Sequence, residues 1–284
     1  MHIRLAHSPD PDDAFMFWGL ACGAVDPGPY RFEHVLADIQ TLNDAAGRGE
    51  YEVTAISLHA YPYVADRYAL TSCGCSMGDG YGPLLVTRRP MRPDDLRGRA
   101  IAVPGRTTTA FLVLQLALGA GTFEPRVVAF DRISDAVGAG EVDAGLLIHE
   151  GQLTYARQGL HTVLDLGVWW QQRTGLPLPL GGNAVRRDLG PRVGRELTGL
   201  MRRSIRYGLD RRPEAVRYAL RFGRGLDEGL ADRFVGMYVN EWTLDYGPRG
   251  RAAVARLLED GAAAGLVPRC PAPDFVTPDD RTTP

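Results

Sequence analysis

The chain of 284 residues contains no lysine; all 32 of its basic side chains are arginine. That absence excludes Schiff-base chemistry with pyridoxal phosphate or a carbonyl substrate, because no ε-amine is present to form the imine. It also removes the P-loop lysine that reaches a nucleotide phosphate and the phosphate-pairing lysine of kinases. Cysteine is scarce as well. Cys22, Cys73, Cys75 and Cys270 do not make a disulfide framework in a chain this long. Cys73 and Cys75 are separated by a single residue, and no second Cys or His pair stands nearby at a zinc spacing, so no metal and no cofactor is expected. No apolar run reaches the roughly 18 residues of a membrane span, and Met1 to Asp13 lacks the apolar core of a secretory signal. A cytoplasmic protein is the expectation. The formal net charge of −2 provides no bulk field for nucleic acid or membrane, and neither is expected as a partner.

What is present is ordinary globular composition, 45% hydrophobic and 23% charged, in a length that suggests about two domains. The dominant pattern is strand, turn, helix. Ile3 to Ala6 is a short apolar run that ends in a turn rich in N-cap residues, His7 to Asp13. A helix through Phe15, Met16, Trp18 and Leu20 follows and stops near Gly23. Phe32 to Leu36, Val53 to Ser57 and Tyr81 to Thr87 read as further strands, with Asp38 capping a helix that ends near Gly47. Residues 88–99 hold two prolines, two acids and five arginines and read as a linker or hinge.

Beyond it, Ala100 to Val103 is a strand, Thr107 to Leu118 an apolar helix, Val127 to Phe130 a strand, Ile133 to Ala139 a helix and Val142 to Ile148 a strand. Residues 177–182 make a second break. Four helices follow, over 193–209, 213–222, 230–240 and 249–263, and then a proline-rich coil tail. Strands alternating with helices predict an α/β protein with mainly parallel sheets. The two breaks predict two lobes joined by two crossings. Residues 1–90 and 180–284 form lobe one, and 91–179 are inserted as lobe two. A ligand cleft lies between them. The oligomeric state is not legible.

Polar residues gather where the strands end, the side on which open α/β sheets bind ligands. Ser8 follows the first strand and Ser57 ends the third. Ser57 lacks the flanking glycines of a nucleophile elbow, which leaves it a hydrogen-bond donor or a plain strand-end serine. The turn Pro104-Gly105-Arg106-Thr107-Thr108-Thr109 opens a helix, so amides and hydroxyls there suit an anion, with Arg106 as a possible charged partner. One of the threonines could simply cap the helix. His149 follows the apolar strand 144–148 at the sheet rim, where a histidine suits a general base but could equally be structural. Glu150 either orients it or is solvated. His7 and His59 carry the same ambiguity. The Trp169-Trp170 pair reads as packing, and the arginines around 202–212 as a solvated helix face.

Several segments in order resemble the 1,4-dihydroxy-6-naphthoate synthase family of the futalosine route to menaquinone. They are Ser8-Pro9-x-Pro11-x-Asp13-x-Phe15, Asp38-Ile39-x-Thr41-Leu42-Asn43, Gly82 to Val86 and Val103 to Ala110. Ala144 to Glu150 and Asp165 to Gly181 complete the set, over nearly the whole chain. The resemblance implies a two-lobe periplasmic-binding-protein-like fold of type II. It implies a cofactor-free lyase that cleaves cyclic dehypoxanthinyl futalosine to 1,4-dihydroxy-6-naphthoate and dihydroxyacetone. It assigns the base to His149 and substrate contacts to Ala55, Ile56, Ser57, Thr108 and Thr109, with a small carboxylate as partner.

Two features depart from the pattern. The family's first turn commonly reads Ser-Pro-Cys-Pro-Asn-Asp, where this chain has Asp10 and Asp12. It often has a lysine where this chain has Ala55. Both changes disfavour an anion at that rim. A solute-binding protein on the same fold, or a paralogue such as a chorismate dehydratase, therefore stays open on sequence alone.

Overall fold

The computed structural model describes residues 1–223 and 225–278. The chain opens with β1 (His2–His7), α1 (Pro11–Ala21), β2 (Arg31–Leu36), α2 (Ile39–Gly47), β3 (Val53–Ser57), β4 (Tyr68–Thr71) and β5 (Ser76–Gly78). It continues through β6 (Leu84–Thr87), β7 (Ala100–Val103), α3 (Thr109–Leu118), β8 (Glu124–Val127), α4 (Ile133–Ala139), β9 (Ala144–Leu147), α5 (Gly151–Thr154), β10 (His161–Asp165) and α6 (Leu166–Thr174). β11 (Leu178–Arg186) follows, then α7 (Gly190–Asp210), α8 (Arg212–Ala219), α9 (Glu228–Tyr238), α10 (Glu241–Leu244), α11 (Gly247–Ala263) and β12 (Phe275–Val276).

The strands form two sheets flanked by helices. The first runs β12-β4-β11-β3-β1-β2, with β5 also on β11; the second runs β10-β6-β9-β7-β8. The sheets are mixed, not mainly parallel. Strands joined by helical crossovers are parallel, as β1 is to β2 and β3, and β7 to β8 and β9. β6, β10 and β11 enter without such a crossover and pair antiparallel with their neighbours.

Several local expectations are corrected. Residues 84–87 were expected in lobe one, but β6 belongs to the second sheet. The Arg/Pro-rich stretch 88–99 is therefore a surface connection from β6 to β7, not a hinge; its five arginines are exposed. The break expected at 177–182 falls in β11, an interior strand of the first sheet. Its punctuating residues have packing reasons. Pro179 adjoins a register irregularity against β5, and a Cβ on Gly182 would stand 2.2 Å from the Tyr246 hydroxyl. The strand expected at 127–130 lies earlier, over Glu124–Val127. Pro125 is tolerated there because β8 is an edge strand. The coil tail contributes β12, paired with β4.

Helix α7 buries Leu197, Leu200, Met201, Ser204, Ile205 and Gly208, a stripe at three- and four-residue spacing. That stripe receives α1. The crossing is close because it is lined by small residues. A Cβ on Gly208 would lie 3.0 Å from the Phe15 ring, and one on Gly19 would lie 3.0 Å from the Ser204 backbone. Ser204 Oγ donates to the Met16 carbonyl at 2.8 Å and accepts from the Leu20 amide at 3.2 Å. The helix that begins beside the cleft is thus bolted at its middle.

Glu52, just before β3, ties three adjacent strands of the same sheet. It accepts from the Arg4 amide at 3.0 Å and Arg4 Nε at 2.9 Å, and lies 3.1 Å from Arg186 Nη1. Burial pushes the Glu52 carboxyl up, but the Arg4 hydrogen bonds and the charges of Arg4 and Arg186 outweigh it and hold it down at about 2. A carboxyl depressed in the folded state stabilises above its unfolded pKa, and that stabilisation is lost as pH falls toward the folded value. Glu52→Gln is therefore expected to lower stability at neutral pH by roughly 1–3 kcal/mol. The deficit should shrink between about pH 4.5 and 2. Denaturant melts of both proteins across that range check this; a deficit that does not change with pH would contradict it.

Candidate active site

A cleft between the two sheets, with about 760 Å³ of empty space including its mouth, is lined from both sides. It brings together Ser8 after β1, Ala55, Ile56 and Ser57 of β3, Thr108 and Thr109 at the start of α3, and His149 after β9. These are carboxyl ends of strands and a helix N-terminus, so the topology converges on one place. Arg106 is not brought there: it is exposed and outside the lining. The inner side of its turn is occupied instead. A Cβ on Gly105 would stand 2.2 Å from Gln40 Oε1, which accepts from the Thr107 amide at 3.0 Å.

The threonine turn is tied to the first sheet's side by further bonds. Asn43 Nδ2 donates to Ser57 Oγ at 3.0 Å and to the Thr107 carbonyl at 3.2 Å, while Asn43 Oδ1 accepts from the Ser57 amide at 2.9 Å. His59 Nδ1 lies 3.0 Å from the Thr108 carbonyl. Thr109 Oγ1 donates to the Leu180 carbonyl and accepts from the His59 amide. Thr108 is the N-cap of α3: its hydroxyl donates to the Gly105 carbonyl at 2.9 Å and accepts from the Phe111 amide at 3.4 Å. Its side chain is thus committed to the fold. The amides of the first helical turn, Thr109 and Ala110 among them, remain at the cleft wall.

The opposite rim is acidic. Asp10, Asp12 and Asp13 are all buried at the start of α1. Asp13 Oδ2 accepts from the Ser8 amide at 2.7 Å. Asp12 Oδ1 and Ser8 Oγ are buried without a hydrogen-bond partner. Burial, then the charge of Asp10, pushes the Asp12 carboxyl up to about 6, against the pull of His149. Burial, then Asp12, raises Asp13 well above the carboxylate range, although the Ser8 amide opposes it.

His149 closes the site. Its Nδ1 is 3.3 Å from Asp10 Oδ2, and its Nε2 is buried with no hydrogen-bond partner. The Phe130 ring meets it edge-on at 4.8 Å. Among the described residues His149 is the one non-glycine with positive φ, 53°. Such a conformation is held by its surroundings and is frequent at functional sites. The other two histidines in question are built into the fold. His7 contacts the Ser8 carbonyl and His34, and burial and His34 push it down to about 4. His59 is likewise lowered by burial. Trp170 is fully buried, with its indole N–H on the Pro177 carbonyl.

Sequence reasoning did not single out Asp13, Gln152, Asn183, Phe234 or Tyr238 as cleft residues, yet all line it. Tyr238 donates to Gln152 Oε1 at 2.7 Å, joining α9 to α5 across the cleft. Gln152 lies three residues after His149 and was within reach of the same argument. Phe234 and Tyr238 come from a distant amphipathic helix with no local signal. Among the described residues no group of three or more His, Cys, Asp or Glu side chains is placed to hold a metal ion. No helix among them is long and apolar enough to cross a membrane.

Two α/β halves around a cleft define the periplasmic-binding-protein-like class. A Candida albicans protein described as having the generic periplasmic binding protein fold superposes with TM-score 0.72 at 14% identity, over 98% of this chain and 97% of that one. The alkanesulfonate-binding protein SsuA of Xanthomonas axonopodis gives 0.70 at 13% identity over 94% of each chain. At such identities the likeness concerns the fold alone. Within that class the chain belongs to the menaquinone biosynthesis family, whose model matches residues 3–263. It is 45% identical over 274 residues to a 1,4-dihydroxy-6-naphthoate synthase of Thermus thermophilus, covering 96% of this chain and 99% of the relative. It is 44% identical to the Streptomyces coelicolor protein of the same name, covering 94% and 95%. A crystal structure from Archaeoglobus fulgidus matches with TM-score 0.90 at 51% identity, over 94% of this chain and 98% of that one. The solute-binding alternative is not favoured.

Two expectations follow from this geometry. An acid whose pKa is raised in the folded state loses stability as pH rises from its unfolded to its folded value, and the full penalty stands above that. Asp12→Asn removes the penalty. The variant should match the wild type below about pH 4 and be more stable above pH 6 by roughly 1–3 kcal/mol. Equal melting temperatures at pH 8 would show that Asp12 carries no such burden. Thr108→Ala should lower stability by about 1 kcal/mol through the lost cap. Urea midpoints test this, and no change in midpoint would show that the cap contributes nothing to stability.

Proposed function

We propose that the chain forms 1,4-dihydroxy-6-naphthoate, the product carried in its relatives' name, by a carbon–carbon lyase step with cyclic dehypoxanthinyl futalosine as substrate and His149 as general base. The observation that carries this reading is the unpartnered, buried Nε2 of His149 facing the cleft. A buried ring nitrogen without a partner is costly unless a ligand completes it.

The two rims have opposite character, and this orients the substrate. The carboxylate end fits the α3 N-terminus, where the amides of Thr109 and Ala110 and the hydroxyl of Ser57 supply donors without a cation. The hydroxyl-bearing end then lies toward Ser8 Oγ and Asp12 Oδ1, which lack partners. Asp12, with its carboxyl near 6, has both a donor and an acceptor form available around neutrality. His149 accepts a proton from the substrate through Nε2. The bond to the three-carbon unit breaks: its electron pair is taken up as the second ring becomes aromatic, the unit leaves in its carbonyl form as dihydroxyacetone, and the proton held on His149 is returned to the products. Aromatisation supplies the driving force, and enclosure between the two halves keeps water from the intermediate.

Incubation of the purified chain with cyclic dehypoxanthinyl futalosine should yield 1,4-dihydroxy-6-naphthoate, followed by chromatography and mass. His149→Ala should lose about 10²–10⁴ in kcat. Absence of the naphthoate with the wild type ends the lyase reading, and near-normal kcat in the variant ends the assignment of the base.

A further inference from the structure

We infer that Asp10 is the positioning residue of the site: its carboxylate holds the His149 ring as the tautomer protonated on Nδ1, so that Nε2 meets the substrate with its lone pair. The inference rests on the reading of His149 as base. It gives that base a partner from the other half of the molecule.

The position of Asp10 would suit a different task. It is the N-cap of α1, where an aspartate ordinarily accepts from the second or third amide of the helix. Asp10 makes no such side-chain bond. It is also completely buried, and a buried carboxylate needs compensation. Its Oδ2 instead lies 3.3 Å from His149 Nδ1, across the divide between the sheets.

A ring nitrogen that faces a carboxylate carries the proton, because a carboxylate only accepts. The other nitrogen is then the acceptor. Here that nitrogen is Nε2, buried and without a partner. The remaining freedoms of the ring are also restricted. The φ of 53° at His149 sets the direction of its Cβ, and Phe130 packs edge-on against the imidazole. The charged groups near the ring are Asp10 and Asp12 from α1 and Glu150, the next residue in the chain. Burial and then the charge of Asp10 raise the Asp12 carboxyl, against the pull of His149. When the imidazole takes up a proton, the Asp10 carboxylate already stands beside the new charge and needs no reorganisation to stabilise it.

The tautomer is read directly by nitrogen–proton correlation NMR of ¹⁵N-histidine-labelled, ligand-free protein at about pH 8, where an ordinary imidazole is neutral. The His149→Ala spectrum identifies the resonances. The wild type should show the Nδ1–H pattern at His149. In Asp10→Asn, whose amide can donate to Nδ1, the ring should shift toward the Nε2–H form. In the same variant kcat should fall by roughly 10²–10⁴-fold, with KM within a few-fold. A merely structural role for Asp10 would not move the tautomer.

An Nε2–H pattern in the wild type overturns the inference. So does an Asp10→Asn protein with unchanged tautomer and unchanged kcat. If Asp10→Asn fails to fold, the wild-type spectrum still decides. Failure of the lyase reading is separable: the wild type would then make no naphthoate, whatever its tautomer.

Discussion

The close crossing of α1 over α7 is the constraint from which the site follows. Glycine and serine at the contact let the two backbones approach, and Ser204 bonds to α1 on both sides of the contact. A helix fixed at its middle cannot swing its first turn outward to hydrate the acids there. Asp10, Asp12 and Asp13 are therefore held in the protein against their solvation preference, and burial leads the upward shift of Asp12 and Asp13. Stability gained in the α1–α7 interface offsets this, which is the usual relation between a rigid scaffold and an unfavourable functional cluster.

The opposite wall works by other means. Among the described residues it offers neither lysine nor arginine: the Ser57 hydroxyl and the N-terminus of α3 line it. With lysine absent from the chain and no arginine among the described lining residues, the carboxylate binding proposed above would rest on neutral donors and backbone dipoles. Such donors discriminate by geometry more than by charge. They also leave the acidic rim without a lysine or arginine among the described lining residues, and under the proposed function a carboxylate would sit away from that rim.

Much of this was legible in the sequence, for identifiable reasons. Strands joined by helices have two periodicities and clear caps, so β1 to β3, β7 and β9 with their helices could be placed, while β8 was read three residues late. Asp38 and Thr108 behave as the caps their positions imply. The unread strands are β4, β5, β10, β11 and β12; β5 and β12 have only three and two residues, and β11 carries the glycines and proline that normally punctuate loops. Their pairing is fixed by distant contacts such as Gly182 against Tyr246. In the site, Ser8, Ser57, Thr108 and Thr109 could be found because strand ends and helix starts are local features, and so could His149. Arg106 was misplaced because sequence proximity does not say which side of a turn faces inward. Asp10 was visible only as a departure from a pattern, since its partner lies on the other sheet.

That last separation has a kinetic meaning. Asp10 follows β1 in the first sheet and His149 follows β9 in the second. Any parting of the two halves wide enough to admit a ligand also pulls the carboxylate from the imidazole. Under the proposed mechanism the oriented base belongs to the closed molecule, which the ligand-free chain already adopts here, and the chemistry would be timed to enclosure. An open molecule would be catalytically silent, and the rate of opening would set how soon a finished product gives way to the next turnover.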